Sequence, residues 1–149
     1  MLPKYHILFG FVFSYILILF FHFTLFSGII IFLSSVLIDF DHYLIYAMKG
    51  KFNLIKNYKE HKTWTAKRES LSINERKKYK KQIFLFHGVE TYLLFFILSF
   101  IHPLFLYIFL GIMLHIIVDL FELIYKKEPL CWKLSQLFVY ITNKNKKNL

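Results

Sequence analysis

Residues 34–46 read SSVLIDFDHYLIY, which places Asp39, Asp41 and His42 inside a run that is otherwise largely apolar. A charge near the centre of a bilayer costs at least about 2.5–3.5 kcal/mol on insertion scales, so such groups need a compensating purpose. Composition says that the run belongs to lipid. Of 149 residues, 57% are hydrophobic and 21% aromatic, and a soluble domain of this length has too little interior to hide them. The single cysteine, Cys131, excludes an internal disulfide and does not fix the redox compartment.

Four stretches approach the ~20 residues that a helix needs to cross the hydrocarbon. They are residues 5–26, 28–48, 83–101 and 104–125. The first is too long for a signal peptide and lacks a small-residue cleavage site. Ser27-Gly28 and His102-Pro103 break each pair, and Pro103 suits the first position of a helix. Such short connections force antiparallel hairpins. The expected fold is therefore all-α: a polytopic membrane protein whose four-helix transmembrane bundle comprises two antiparallel hairpins. One membrane domain covers residues 1–142, and residues 143–149 form a flexible, solvated tail.

All nineteen Lys and Arg residues lie at Lys4, between positions 49 and 82, or from Lys126 onward. The positive-inside rule then puts both termini and the basic connecting segment 49–82 in the cytoplasm, as in an integral cell-membrane protein. This distribution accounts for the net charge of +10 without nucleic acid, and it favours anionic lipid headgroups as neighbours. Within the connecting segment, Ser72-Ile73-Asn74-Glu75 fits a capping box and predicts a helix running from near Ile73 into the third span. The preceding NYKEHKTWTAKRES, residues 57–70, reads as a surface stretch. Leu130, Leu134, Leu137, Phe138 and Ile141 recur at helical spacing opposite Lys133, Ser135 and Gln136. They predict a helix over 130–141, either in the membrane interface or capping the bundle.

Depth gives the ionisable residues their meaning. At 1.5 Å per residue, residues 39–42 lie roughly 9–14 Å from the cytoplasmic end of the second span. His87 and Glu90 lie roughly 7–12 Å into the third, and His115 and Asp119 roughly 10–16 Å from the end of the fourth. Three antiparallel helices thus bring their ionisable groups to one level, with His6 opening the first span on the same side. His87/Glu90 are i,i+3 and His115/Asp119 i,i+4, so each pair is expected on one helix face. Asp39 and His42 are also i,i+3, Ser35 one turn earlier could orient a carboxylate, and Asp41 points elsewhere unless the helix is distorted. Imidazoles and carboxylates converging within a bundle build a metal site. His22 and His102 lie toward the opposite face and read as packing residues. His61 is cytosolic and could cover the site or do nothing. Glu122 and Glu128 read as solvated partners of Lys126 and Lys127.

His6, the D-x-D-H at Asp39-Phe40-Asp41-His42, His87 and the H-x-x-x-D at His115–Asp119 together resemble the YdjM-like group of predicted membrane-bound metal-dependent hydrolases. The resemblance covers Tyr5 to about Glu122. It departs at Ile38, where that group has proline, and at His61–Lys67, which keeps part of an H-R-x-x-T-H-S stretch. The His missing at Ala66 is a role that His87 can fill. The resemblance implies a metal site and a hydrolytic reaction.

Other chemistries lack their motifs: H-E-x-x-H, G-x-S-x-G and clustered H-x-x-H-H are all absent. The expected ligands are Asp39, His87, His115 and Asp119, with Asp41, His42 and His6 as further ligands or supports. Glu90 and Asp41 are the candidate catalytic groups, Glu90 as general base or alternatively another ligand. The donor set fits one or two divalent ions, with zinc foremost and manganese or iron also suitable. Location points to a lipid or lipid-linked ester or phosphoester as substrate. A metal-ion binding or transport protein and a non-enzymatic membrane scaffold are the competing classes.

Overall fold

The computed structural model describes residues 3–48, 52–128 and 135–148. Cys131, Lys133 and the start of the helix expected over 130–141 lie outside them. The longest element is α7 (Pro103–Tyr125), and its start follows from local chemistry: the His102 side chain accepts from Leu104 N–H, and Pro103 occupies the first turn. His102 is thus a helix cap rather than a packing residue. The other helices are α1 (Pro3–Phe21), α2 (Leu25–Leu37), α3 (Asp41–Met48), α4 (Leu54–Glu69), α5 (Ile73–Arg76), α6 (Val89–Ser99) and α8 (Gln136–Asn143). A 3-10 turn over Ile38–Phe40 joins α2 to α3. Among the described residues there is no β-strand, so the all-α expectation holds.

By length and composition, Lys4–Phe21 and Pro103–Tyr125 can each cross a membrane, while the apolar helices Leu25–Phe40 and Val89–Ser99 are shorter. The distribution of polarity is inverted relative to a soluble domain. His6, Ser27, Ser35, Asp41, His87, His115 and Asp119 are at most 2% exposed, whereas Phe20, Phe100 and Ile101 are each more than 70% exposed. Helix α7 packs chiefly on α2 and α6, and α1 packs on α2. A small apolar core of Ile38, Tyr92, Ile112 and Ile116 fills the space between α2, α6 and α7. Close approach of α2 and α7 depends on Gly111, where an added Cβ would stand 2.4 Å from the Ile31 carbonyl oxygen. Small residues at helix contacts are how apolar helices gain packing when burial from water is not the driving force.

Several boundaries differ from the sequence expectation. The first break falls at residues 22–24, not at Ser27-Gly28: His22 adopts φ 55° after α1, and Thr24 caps α2 by accepting from Ser27 N–H. His22 is exposed at this turn rather than packed. The capping box at Ser72 and Glu75 forms with both its hydrogen bonds, but its helix ends at Arg76. Residues 57–70 are mostly helical, within α4, which Asn53 caps. The tail is not simply solvated: Lys80 N–H donates to the Lys147 carbonyl and Lys147 N–H to that of Lys78. Glu122 accepts from Lys126 as expected, but Glu128 is nearly buried beside Arg68, Arg76 and Lys81. Burial there draws the Arg68 guanidinium pKa down, against the pull of Glu128.

The largest difference is the third apolar stretch, whose helix begins only at Val89. Residues 81–87 lack helical bonding, and side chains satisfy much of their backbone. Asn143 binds both N–H and carbonyl of Lys81, and Gln136 binds Phe84 N–H and the His87 carbonyl. Thr91 donates to the Leu85 carbonyl, and Asp41 accepts from Phe86 N–H. Irregular backbone away from water persists only where such partners exist. Gln136, Val139 and Asn143 thus form the docked face of α8, leaving Leu137, Phe138, Tyr140 and Ile141 exposed.

Gly111→Ala is expected to destabilise the protein by about 1–3 kcal/mol through overpacking, although alanine favours helix. Denaturation of purified Gly111→Ala against parent checks this; unchanged stability would mean that α2 and α7 do not touch there.

Candidate metal centre

The site begins with two histidines whose outer nitrogens are held by oxygen. His115, on α7, donates from Nδ1 to the Ser35 carbonyl of α2 at 2.7 Å. A carbonyl can only accept, so the proton sits on Nδ1 and Nε2 faces inward. His87 precedes α6, and its Nδ1 lies 3.0 Å from Oδ2 of Asp41. An ionised Asp41 accepts that N–H too, which aims Nε2 of His87 at the same interior point. A carboxylate or carbonyl behind an imidazole is the usual support of a metal-binding histidine. The Ser35 hydroxyl itself is turned to the Phe32 carbonyl, so Ser35 acts through its backbone and not, as expected, on a carboxylate.

The two Nε2 atoms stand 3.2 Å apart. Asp39 Oδ1 lies 3.5 Å from that of His87 and 3.6 Å from that of His115. Asp119 Oδ2 completes the ring at 3.8 Å from His87 and 3.5 Å from His115. His6 stacks on His115, with ring centroids 3.9 Å apart, and its Nε2 is 3.6 Å from Asp119. Both ring nitrogens of His6 are buried without a hydrogen bond. His42 Nε2 pairs with Asp39 Oδ1 at 3.2 Å. The histidines and aspartates predicted from the sequence therefore meet, drawn from α1, the α2–α3 junction, the 81–88 segment and α7.

The 3-10 turn explains how neighbouring aspartates divide their work. Three residues per turn eclipse positions i and i+3, which aligns Asp39 with His42. Asp41, at the first position of α3, is left to reach His87 from behind. It supports a histidine and does not join the inner ring. Glu90 is also absent from the ring. An i,i+3 pair shares a face only inside one helix, and Gly88, with extended backbone, separates His87 from α6. The Glu90 carboxylate instead accepts from Ser135 Oγ at 2.6 Å and from the N–H groups of Gln136 and Leu137. It holds the N-terminus of α8, a position that favours negative charge. Its expected roles as general base or ligand do not fit this placement. A Cβ on Gly88 would stand 2.0 Å from the same carboxylate, so a side chain here would push Glu90 off the N-terminus of α8.

His61 does cover the site. Its Nδ1 meets Gln82 Oε1 at 3.0 Å and its ring lies 4.9 Å from that of His42. Phe84 also packs on His42, at 4.0 Å between centroids. Gln136 and Asn143, which shape the 81–87 segment, were invisible as site residues because polar positions on an amphipathic helix look solvated. Their seven-residue spacing on one face was the available signal.

Three overlapping triads, His6–Asp39–His115, Asp39–His42–His87 and His87–His115–Asp119, each offer ligand atoms within 4.8 Å of one another. The cluster could hold a metal ion. Two Nε2 lone pairs and two carboxylates facing one another call for a cation, and the buried His6 nitrogens, which make no hydrogen bond, call for a further bond. Comparison with known proteins finds no matching family model, and no curated protein or solved structure with significant similarity.

Alanine at His87 or His115, and asparagine at Asp39 or Asp119, should sharply lower the metal content of folded, monodisperse protein. Asp41→Asn should weaken affinity by about 10–100-fold through loss of support. His22→Ala, His102→Ala and Glu90→Gln should retain metal near the parent level, measured by elemental analysis after purification. Equal retention by all these variants would remove the site.

Proposed function

We propose that the chain is a membrane-embedded hydrolase that uses a divalent metal held by His6, Asp39, His42, His87, His115 and Asp119. The observation that carries this reading is the convergence of His87 and His115 Nε2 with Asp39 and Asp119, each imidazole being supported from behind. The resemblance of His6, D-x-D-H, His87 and H-x-x-x-D to the YdjM-like hydrolases agrees with it. Zinc is the ion that we assign first to imidazole and carboxylate donors, and the reading allows one ion or two across the overlapping triads. Such an ion acidifies water and polarises a scissile ester or phosphoester. Asp39 and His42, 19% and 18% exposed at their side chains, are the members open to an approaching substrate. Asp41 keeps His87 in its productive tautomer, and His6 closes the inner wall.

The substrate is a lipid or lipid-linked ester or phosphoester, because an amphiphile can reach this depth laterally from the membrane. In this reading the chain crosses four times. Helices α1 and α7 are full spans, while α2 with α3, and the 81–88 segment with α6, are spans interrupted at the site. Both termini and residues 49–82 then face the cytoplasm, where the lysines and arginines lie.

A second reading has a specific observation in its favour. Interrupted helices at a midplane site are a feature of transporters, and both the 3-10 turn at Ile38–Phe40 and the non-helical 81–87 segment adjoin the cluster. Metal passage is therefore the competing function. Protein in sealed vesicles separates the two: hydrolysis of phospholipid or lipid-linked phosphoesters without metal flux supports the enzyme, and metal flux without hydrolysis the carrier. For topology, a single cysteine at His22 in a Cys131→Ser background should be labelled from outside intact cells. A cysteine at Ser70 should not. Reversed labelling would invert the site's orientation.

A further inference from the structure

Beside the cluster, a cavity of about 870 Å³ opens between α4, residues 80–83 and α8. Lys67, Lys80, Lys81 and Lys144 line it against one carboxylate, Glu60. Lys81 also shares Glu128 with Arg68 and Arg76, at 3.5, 3.7 and 3.5 Å respectively, so the carboxylate that Lys81 meets outside the lining faces three cations. Positive charge therefore dominates the cavity and the structure behind it. Its volume falls within the range of small-molecule sites, about 300–1,000 Å³.

The cavity communicates with the cluster through few side chains. Gln82 lines its wall and meets Nδ1 of His61 at 3.0 Å. The His61 ring lies 4.9 Å from His42, whose Nε2 pairs with Asp39 at 3.2 Å. These are the partly exposed members of the cluster. Trp64 and Tyr140 stand among the lining residues, and such amphipathic rings suit the level of lipid headgroups.

We propose that this cavity binds the phosphate or pyrophosphate group of the substrate, bringing the attached ester to the Asp39–His42 edge of the cluster. The assignment rests on the reading of that cluster as a hydrolytic metal centre, whose substrate it narrows to a phosphate-bearing anion. Lysine binds phosphate as a point charge, and a phosphomonoester carries about −1.5 to −2 at neutral pH. Such a group, or a pyrophosphate, uses several ammonium donors at once, which a single carboxylate does not. The phosphate can come from a membrane lipid headgroup or from a soluble phosphate ester.

The test is calorimetric binding of inorganic pyrophosphate to the full chain in detergent, with metal content measured on every sample. Parent protein should bind, and K67Q/K144Q should raise the dissociation constant about tenfold, at about 0.7 kcal/mol for each lost charge-assisted contact. Lys62→Gln, an equal charge change outside the lining, should bind like the parent. Thr63→Phe, which fills the cavity without altering charge, should also lose binding and provides a second test should the lysine variant misfold. No binding by parent protein, equal weakening by Lys62→Gln, or unaltered binding by both cavity variants overturns the proposal. Metal retained in a parent that binds no pyrophosphate would sink only the cavity assignment; pyrophosphate bound without metal would sink only the hydrolase reading. Nanodiscs separate the sources. Competition by phosphatidic acid, absent with phosphatidylcholine alone, assigns the headgroup, whereas undisturbed pyrophosphate binding assigns a soluble phosphate.

Discussion

The close contact of α2 with α7 is the constraint on which the remaining arrangement depends. Gly111 lets the α7 backbone approach Ile31 and Ser34, and one turn later His115 reaches the Ser35 carbonyl. That hydrogen bond fixes which imidazole nitrogen carries the proton and therefore which one faces inward. Asp119 follows on the same face of α7, and Asp39 follows Ser35 in the 3-10 turn that ends α2. A bulkier residue at position 111 would part the helices and misdirect the inner ring. Packing of small residues and orientation of a polar site are one problem here.

The second support is the treatment of irregular backbone. A continuous helix through residues 83–101 would have placed His87 by helical geometry alone. The chain instead leaves 81–87 unwound and supplies partners from Asp41, Thr91, Gln136 and Asn143. An unmade hydrogen bond away from water costs about 1–3 kcal/mol per group, so these side chains are as necessary to the segment as its own sequence. Asp41 serves twice, since the same oxygen accepts from Phe86 N–H and from His87 Nδ1. Glu90 holds the N-terminus of α8 and keeps Gln136 in place. The histidine is thus positioned through a helix distant from it in sequence.

Charge is partitioned to match. Inward-facing donors gather carboxylates and imidazoles and so attract a cation, whereas α4, Lys80, Lys81 and Lys144 just past α8 gather positive charge. The cluster and the basic cavity sit side by side, separated by His61, Gln82 and His42. A reaction on a phosphorylated amphiphile would draw on both: positive charge to hold the anion, and a metal-supporting site at the bond to be broken.

The sequence by itself determined the all-helical class, the extent of α7 from His102-Pro103, and the capping box at Ser72. It also brought Asp39, His42, His87, His115 and Asp119 to one level, with His6 on the same side. These follow from hydrophobic run length, turn chemistry and rise per residue, all of which are local or additive along the chain. Only the tertiary structure decided where the third helix starts, which way Asp41 and Glu90 turn, and that Gln136 and Asn143 face inward. Spacing rules assume an unbroken helix, and Gly88 and the 3-10 turn at Ile38–Phe40 interrupt it where the site is built. A break is tolerated only when other groups complete its hydrogen bonds, and apart from Thr91 those partners are 45–62 positions away in the sequence.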